Sequence, residues 1–134
     1  MTDATRRLRE RPLSPFLQVW RWHATMLCSI LHRVSGVGLY IGALIFAGWA
    51  IALARGPEAY DFYLGLLGSI PGQALLILLT AGVCYHTANG VRHLVWDTGH
   101  GLDLRSANAS ALFVLGFTAV ATIAFWALIW LEIL

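Results

Sequence analysis

The segment VSGVGLYIGALIFAGWAIALA, Val34–Ala54, contains no charged side chain. A transmembrane helix needs roughly 20 apolar residues, because a hydrocarbon core of about 30 Å is crossed at about 1.5 Å per residue. Hydrophobic residues make up 58% of the 134-residue chain and charged residues only 12%, and the mean hydropathy is +0.69. This composition is far from that of soluble proteins. The sequence therefore predicts an integral membrane protein.

Two further uncharged runs follow, at about Ile70–Val91 and Ala107–Leu131. Short tails and two connections are all that the runs leave, so we expect one all-α membrane-anchor domain over residues 1–134. The expected order along the chain is a cytoplasmic or interfacial segment and three transmembrane helices, at 1–23, about 24–54, about 70–96 and about 107–131. Three helices expose much lateral surface, which predicts a heteromeric bundle with helices of partner subunits.

The distribution of arginine predicts the orientation. Five arginines precede the first span and two flank the connection between the second and third spans, whereas the connection between the first and second has only Arg55, beside Glu58 and Asp61. Short cytoplasmic segments attract positive charge. We therefore expect a cytoplasmic N-terminus and a periplasmic C-terminus.

The N-terminal segment has prolines that oppose an early helix and tryptophans suited to the headgroup depth, at Trp20 and Trp22. It lacks the apolar region and cleavage site of a secretory signal. Cys28 and Cys84 are too few for a structural zinc site and are expected to be packing residues. No catalytic array, phosphate-binding loop or basic face for nucleic acid is present in the sequence, so independent catalytic activity and nucleic-acid binding are not expected.

His86 is the histidine placed deepest in a predicted span. It precedes Arg92 by six residues, which puts it about 9 Å deeper than that interfacial charge. His93, His32 and Arg33 are expected near the depth of Arg92. An ionisable side chain in the membrane is a functional-site hypothesis.

A neutral imidazole is a good axial ligand for haem iron. Two interpretations stay open: His86 binds haem, with the shallower groups meeting the propionates, or His86 is a core histidine hydrogen-bonded to a helix carbonyl. His93 is seven residues away on the same helix, about 10 Å along the axis, and cannot clasp the same iron. His32 is expected to be too shallow by a similar margin, so a second ligand would come from a partner subunit.

Ser29, Arg33 and Gly36 follow an i, i+4, i+7 pattern, so a hydroxyl, a guanidinium and a gap share one helix face. A serine donor and a nearby cation suit the carbonyls of a quinone and the negative charge that develops on reduction. The alternative is an arginine that extends to lipid phosphates beside an incidental serine.

Three separated blocks resemble one family: RPLSP at Arg11–Pro15, SILHRVSG at Ser29–Gly36 and HTANGVRHLVWD at His86–Asp97. They are similar to the signature blocks of the cytochrome b556 membrane-anchor subunit of succinate dehydrogenase, respiratory complex II. The resemblance covers all three spans in order, and it points to a bacterium related to the mitochondrial lineage.

The resemblance implies that His86 is the axial ligand of haem b and that a histidine of a second, smaller hydrophobic anchor subunit supplies the opposite ligand. It also implies that Ser29 and Arg33 form part of a ubiquinone site, with His32, Arg33 and His93 near the haem propionates. FAD and iron–sulfur clusters would belong to a flavoprotein and an iron–sulfur subunit on the cytoplasmic face. The expected location is the bacterial inner membrane.

Three alternatives remain at the level of sequence. A haem-less structural anchor would use the histidines only for packing, and the cytochrome subunit of a fumarate reductase would run the reverse reaction with menaquinone. A small transporter subunit is disfavoured, because no span is broken and no charged path crosses the outer half of the membrane.

Overall fold

The computed structural model describes residues 19–133, so most of the predicted N-terminal segment 1–23 lies outside the described residues. The described chain forms four helices, in the order α1 (Ala24–Arg55), α2 (Pro57–Gly68), α3 (Ile70–Asp97) and α4 (Leu104–Ile133). Helices α1, α3 and α4 are each long and apolar enough to cross a membrane. The prediction of three transmembrane helices in an all-α fold is confirmed.

Each of the long helices begins at a recognisable capping side chain. The ring of His23 accepts a hydrogen bond from the Met26 amide ahead of α1, and the Ser69 hydroxyl does the same for Gly72 ahead of α3. Asp103 accepts a hydrogen bond from the Ser106 amide at 3.0 Å at the start of α4. Hydrogen bonding from the Ser106 side chain, together with this amide, lowers the pKa of Asp103 below its ordinary value. Such caps satisfy amides that have no partner within the helix.

Helix α2 was not predicted, because its 12 residues form no long apolar run. Pro57 starts it, where the missing N–H costs nothing. Tyr63 fastens it to α1 by donating its hydroxyl to the Ile45 carbonyl at 2.7 Å. The ring lies so close to Gly48 that a Cβ there would be 2.8 Å from the hydroxyl oxygen. Helix α2 therefore packs along the end of α1 and fills the first connection.

A small buried core joins α1, α3 and α4. Tyr85 of α3 donates its hydroxyl to the Cys28 carbonyl at 2.6 Å, and the Cys28 thiol lies 3.7 Å from the Ala111 carbonyl of α4. Cys28 and Ala111 are fully buried, and Val114 lies beside them in the core. Cys28 and Cys84 are both free thiols, the first buried and the second half-buried.

The glycines of α1 serve different neighbours. Gly42 receives the Leu79 side chain of α3, since a Cβ at Gly42 would lie 2.9 Å from Leu79 Cδ2. Gly38 has no described atom within 4 Å of the place where a Cβ would stand. Gly42 therefore allows α1 and α3 of this chain to approach closely, whereas no described residue packs against Gly38.

Candidate functional site

Three imidazole rings stack between α1 and α3. The His32 ring lies parallel to the His86 ring, with centroids 4.0 Å apart and an interplanar angle of 13°, and parallel to the His93 ring at 5.2 Å and 18°. His32 therefore fills the space of about 10 Å that separates the two α3 histidines along their helix. The expectation that His32 lies far shallower than His86 is wrong, because its side chain reaches the His86 ring.

Imidazole lone pairs lie in the ring plane, so rings stacked face to face at 4.0 Å cannot direct their nitrogens at one ion from opposite sides. Between residues 19 and 133, no group of three or more His, Cys, Asp or Glu side chains is arranged to hold a metal ion. The stack of His32, His86 and His93 is thus not a metal cluster of its own. It is compatible with a planar cofactor that takes one axial ligand from this chain and the other from elsewhere.

Two residues of α1 lie against the His86 ring. Its Nδ1 lies 3.1 Å from the Ser35 hydroxyl, and that hydroxyl donates to the His32 carbonyl at 3.0 Å. A Cβ at Gly36 would lie 3.3 Å from His86 Cε1, so the glycine leaves room for the ring edge. Nε2 of His86 has no hydrogen-bond partner among the described side chains and backbone groups. A ring held by Nδ1 with Nε2 unengaged has the features of an axial ligand.

The sequence alone does not identify Ser35 as a site residue, because its hydrogen-bond partner, His86, is 51 residues away. The available signal was a hydroxyl on the turn that follows His32. The i, i+4, i+7 pattern predicted open space at Gly36, on the same helix face as Ser29 and Arg33. In the structure the edge of the His86 ring lies against Gly36, so this space is already occupied.

The core-histidine arrangement, which the sequence left open for His86, is found instead at His93. Its Nδ1 donates to the Asn89 carbonyl, one turn earlier on α3, at 2.7 Å. The His93 ring also meets the edge of Trp96, with centroids 5.1 Å apart. His86 has no such bond to a helix carbonyl. The two histidines of α3 are therefore held in different ways, His93 by its own helix and His86 by α1.

Arg92 faces away from the histidine stack, towards α4. It is 6% exposed and donates to the Ser110 hydroxyl at 2.9 Å, the Asn89 side-chain oxygen at 3.2 Å and the Ala107 carbonyl at 3.0 Å. Its guanidinium carbon lies 4.0 Å from the centroid of the Trp96 ring. The expected common depth of Arg92 and His93 does not bring their side chains to one site, because adjacent residues on a helix point in different directions.

Ser29 and Arg33 lie one turn apart on α1, next to His32. Ser29 is half-buried and Arg33 is exposed. Within the described part of the chain, neither side chain forms a hydrogen bond. Both groups are therefore free to meet a ligand, a lipid or a partner subunit at the end of α1 that carries the histidine stack.

A large apolar cavity lies elsewhere, in the groove between α1, α3 and α4. It has a volume of about 660 Å³ and is lined mainly by leucine, isoleucine, valine, alanine and glycine side chains. Ser35 and Tyr85 border it, whereas none of the five site residues predicted from the sequence lines it. Pocket size alone would favour this groove as a ligand site, but the polar chemistry lies beside it, at the histidine stack.

Comparison with known proteins agrees with the resemblance seen in the sequence blocks. Residues 7–125 match the family described as succinate dehydrogenase/fumarate reductase transmembrane subunit. The chain is 33% identical over 118 residues to the succinate dehydrogenase cytochrome b556 subunit of Rickettsia typhi, covering 87% of this chain and 91% of that protein. It is 36% identical to the mitochondrial cytochrome b560 subunit of Sus scrofa, covering 84% and 68% respectively. The chain belongs to the succinate dehydrogenase/fumarate reductase transmembrane subunit family.

Proposed function

We propose that this chain is the cytochrome membrane anchor of succinate:ubiquinone oxidoreductase, the complex that links the tricarboxylic acid cycle to the respiratory chain. The family match and the cytochrome b subunits among its relatives support this proposal. Three apolar helices fit a multi-pass membrane protein. We place it in a bacterial inner membrane with its N-terminus cytoplasmic, on the evidence of the arginine distribution.

The proposed cofactor is haem b, with His86 as the axial ligand from this chain. The observation that carries this assignment is the His86 ring, bonded at Nδ1 to Ser35, accommodated by Gly36 and unengaged at Nε2. When bound, a haem supplies a one-electron acceptor and donor. The opposite axial ligand would be a histidine of the small second anchor subunit, because neither His32 nor His93 can reach the far side of an iron held by His86.

His32, Arg33 and His93 would lie around the propionate edge. Each carries or can acquire positive charge and stands at the end of the bundle where haem carboxylates would meet water. His32 Nδ1 supports this role, because it is buried and has no hydrogen-bond partner among the described residues. A buried polar atom without a partner is unfavourable, and a propionate or a bound water would satisfy it.

Ser29 and Arg33 would bind ubiquinone at the same end of α1. A hydroxyl can donate to a quinone carbonyl, and a nearby guanidinium stabilises the negative charge that develops on that oxygen during reduction. Electrons would arrive from an iron–sulfur subunit docked on the cytoplasmic face, after succinate oxidation in a flavoprotein subunit that holds FAD. This chain would contribute a binding site and no independent activity.

The decisive experiment is the reduced-minus-oxidised optical spectrum of the purified complex, with wild type beside His86→Ala. We expect the α band of a low-spin b-type haem in the wild type and its loss or strong reduction in His86→Ala. His100→Ala is the matched control, because His100 is exposed in the connection between α3 and α4 and should leave the band unchanged. A band that survives intact in His86→Ala would disprove the ligand assignment.

The two remaining candidates make different predictions in the same experiment. A haem-less anchor shows no haem band in a wild-type complex that still reduces quinone. The family description also covers fumarate reductase. A fumarate reductase subunit would be identified by menaquinone, in place of ubiquinone, in the isolated complex.

A further inference from the structure

The Ser35 hydroxyl is a polar group in the membrane-spanning part of α1, and the proposed function uses its contact with His86 without saying which group holds the proton. It lies between two groups, the His32 carbonyl of its own helix at 3.0 Å and Nδ1 of His86 on α3 at 3.1 Å. The residue is half-buried and borders the apolar groove, where unpaired polar groups are costly.

The protons of this pair can be assigned from its chemistry. A backbone carbonyl only accepts hydrogen bonds, so the contact with the His32 carbonyl uses the single hydroxyl proton of Ser35. The oxygen of Ser35 then has lone pairs left to accept a bond, and Nδ1 of His86 must be the donor. A neutral imidazole that carries its proton on Nδ1 has its lone pair on Nε2.

We propose that Ser35 is a positioning residue for His86, which accepts the Nδ1–H bond and so holds the ring in the tautomer that presents Nε2 to the haem iron. This inference rests on the proposed haem ligation by His86. A hydrogen bond from the second ring nitrogen of a metal-bound histidine fixes its orientation and raises its basicity as a ligand. Gly36 completes the arrangement, because its missing side chain admits the ring edge.

Loss of the acceptor should change the haem electronically as well as structurally. In Ser35→Ala, the Nδ1–H of His86 has no partner on α1, so the ring becomes a weaker electron donor to the iron. A weaker donor stabilises the ferric state less, and the midpoint potential shifts to a more positive value. Ser35→Thr keeps the hydroxyl, and a helical threonine can still donate to the carbonyl of the preceding turn, so it should restore the wild-type potential.

The test is an optical redox titration of the haem in the purified complex, with wild type, Ser35→Ala, Ser35→Thr and Thr80→Ala. Thr80 of α3 is the control, because its hydroxyl bonds only to the Leu76 carbonyl of its own helix. We expect a positive shift, or loss of haem, in Ser35→Ala alone. Equal behaviour of Ser35→Ala and Ser35→Thr, or an unshifted potential in Ser35→Ala, would overturn the role of Ser35.

These results separate the inference from the function on which it rests. If Ser35→Ala retains an unshifted haem and His86→Ala loses the haem, His86 remains the ligand and Ser35 does not position it. If the haem band survives in His86→Ala, the ligand assignment itself fails, and the positioning role of Ser35 fails with it.

Discussion

At the residue scale, Arg92 distinguishes a structural cation from a cofactor-binding one. Its three hydrogen bonds all go to α4 or to its own helix. We predict that Arg92→Ala lowers the stability of the chain by about 1–3 kcal/mol, the cost of leaving a buried polar partner such as Asn89 unsatisfied. The haem spectrum should not change. The measurement is the apparent melting temperature of the purified complex, with the optical spectrum taken on the same sample.

Arg105→Ala is the matched control, because Arg105 is exposed in the first turn of α4 and exposed substitutions usually change stability by less than about 0.5 kcal/mol. If Arg92→Ala lost haem and kept its melting temperature, Arg92 would belong to the cofactor site.

Sequence spacing could not separate Arg92 from His93, since both lie at the same depth. The direction of each side chain around the helix decides which neighbour it meets.

At the element scale, the turn between α2 and α3 depends on Gly72. A Cβ at this position would collide with the Leu66 carbonyl oxygen and lie 2.6 Å from that of Leu67. Backbone cannot move aside as a flexible side chain can, so we predict that Gly72→Ala destabilises the chain by about 1–3 kcal/mol. The measurement is thermal unfolding of the purified complex, followed by circular dichroism.

Gly65→Ala serves as the control, because no described atom lies within 4 Å of a Cβ at this helical position. An exposed helical glycine replaced by alanine is stabilising by about 0.5–1 kcal/mol. Equal effects of the two substitutions would show that the turn adjusts without strain. The sequence contains the signals for this turn, Ser69 and Pro71, but a long run of uncharged residues identifies only helices that cross the membrane. Helix α2, with Glu58 and Asp61, escaped that criterion.

At the scale of the whole molecule, the part of the chain from residue 19 to residue 133 has few buried residues and a large apolar surface. Its buried apolar side chains are Cys28, Ala52, Tyr85, Ala111, Val114 and Trp126. The sequence predicts the three long helices because hydrocarbon thickness sets their length. It could not predict the contact of His32 with His86, because that contact depends on how α1 and α3 cross. The sequence gives the depth of each backbone position along its helix axis, but it does not give how far a side chain extends from that position.

The crossing of α1 and α3 brings the candidate haem ligand and the candidate quinone residues to one end of the bundle. We predict that Ser29→Ala and Arg33→Ala each lower the rate of quinone reduction by at least tenfold. A hydrogen bond to a charged group, such as the quinone oxygen that becomes negative during reduction, is worth about 1.5–3 kcal/mol. Succinate oxidation by an artificial dye should persist, because electrons reach the dye before the anchor.

The measurement compares the two rates, succinate to quinone and succinate to dye, on the same preparation of the complex. Arg55→Ala is the control at the opposite end of α1 and should leave both rates unchanged. Wild-type quinone reduction in both Ser29→Ala and Arg33→Ala would remove these residues from the quinone site. A parallel fall in both rates would point instead to loss of the docked subunits, because a defect confined to the anchor cannot slow electron delivery to the dye.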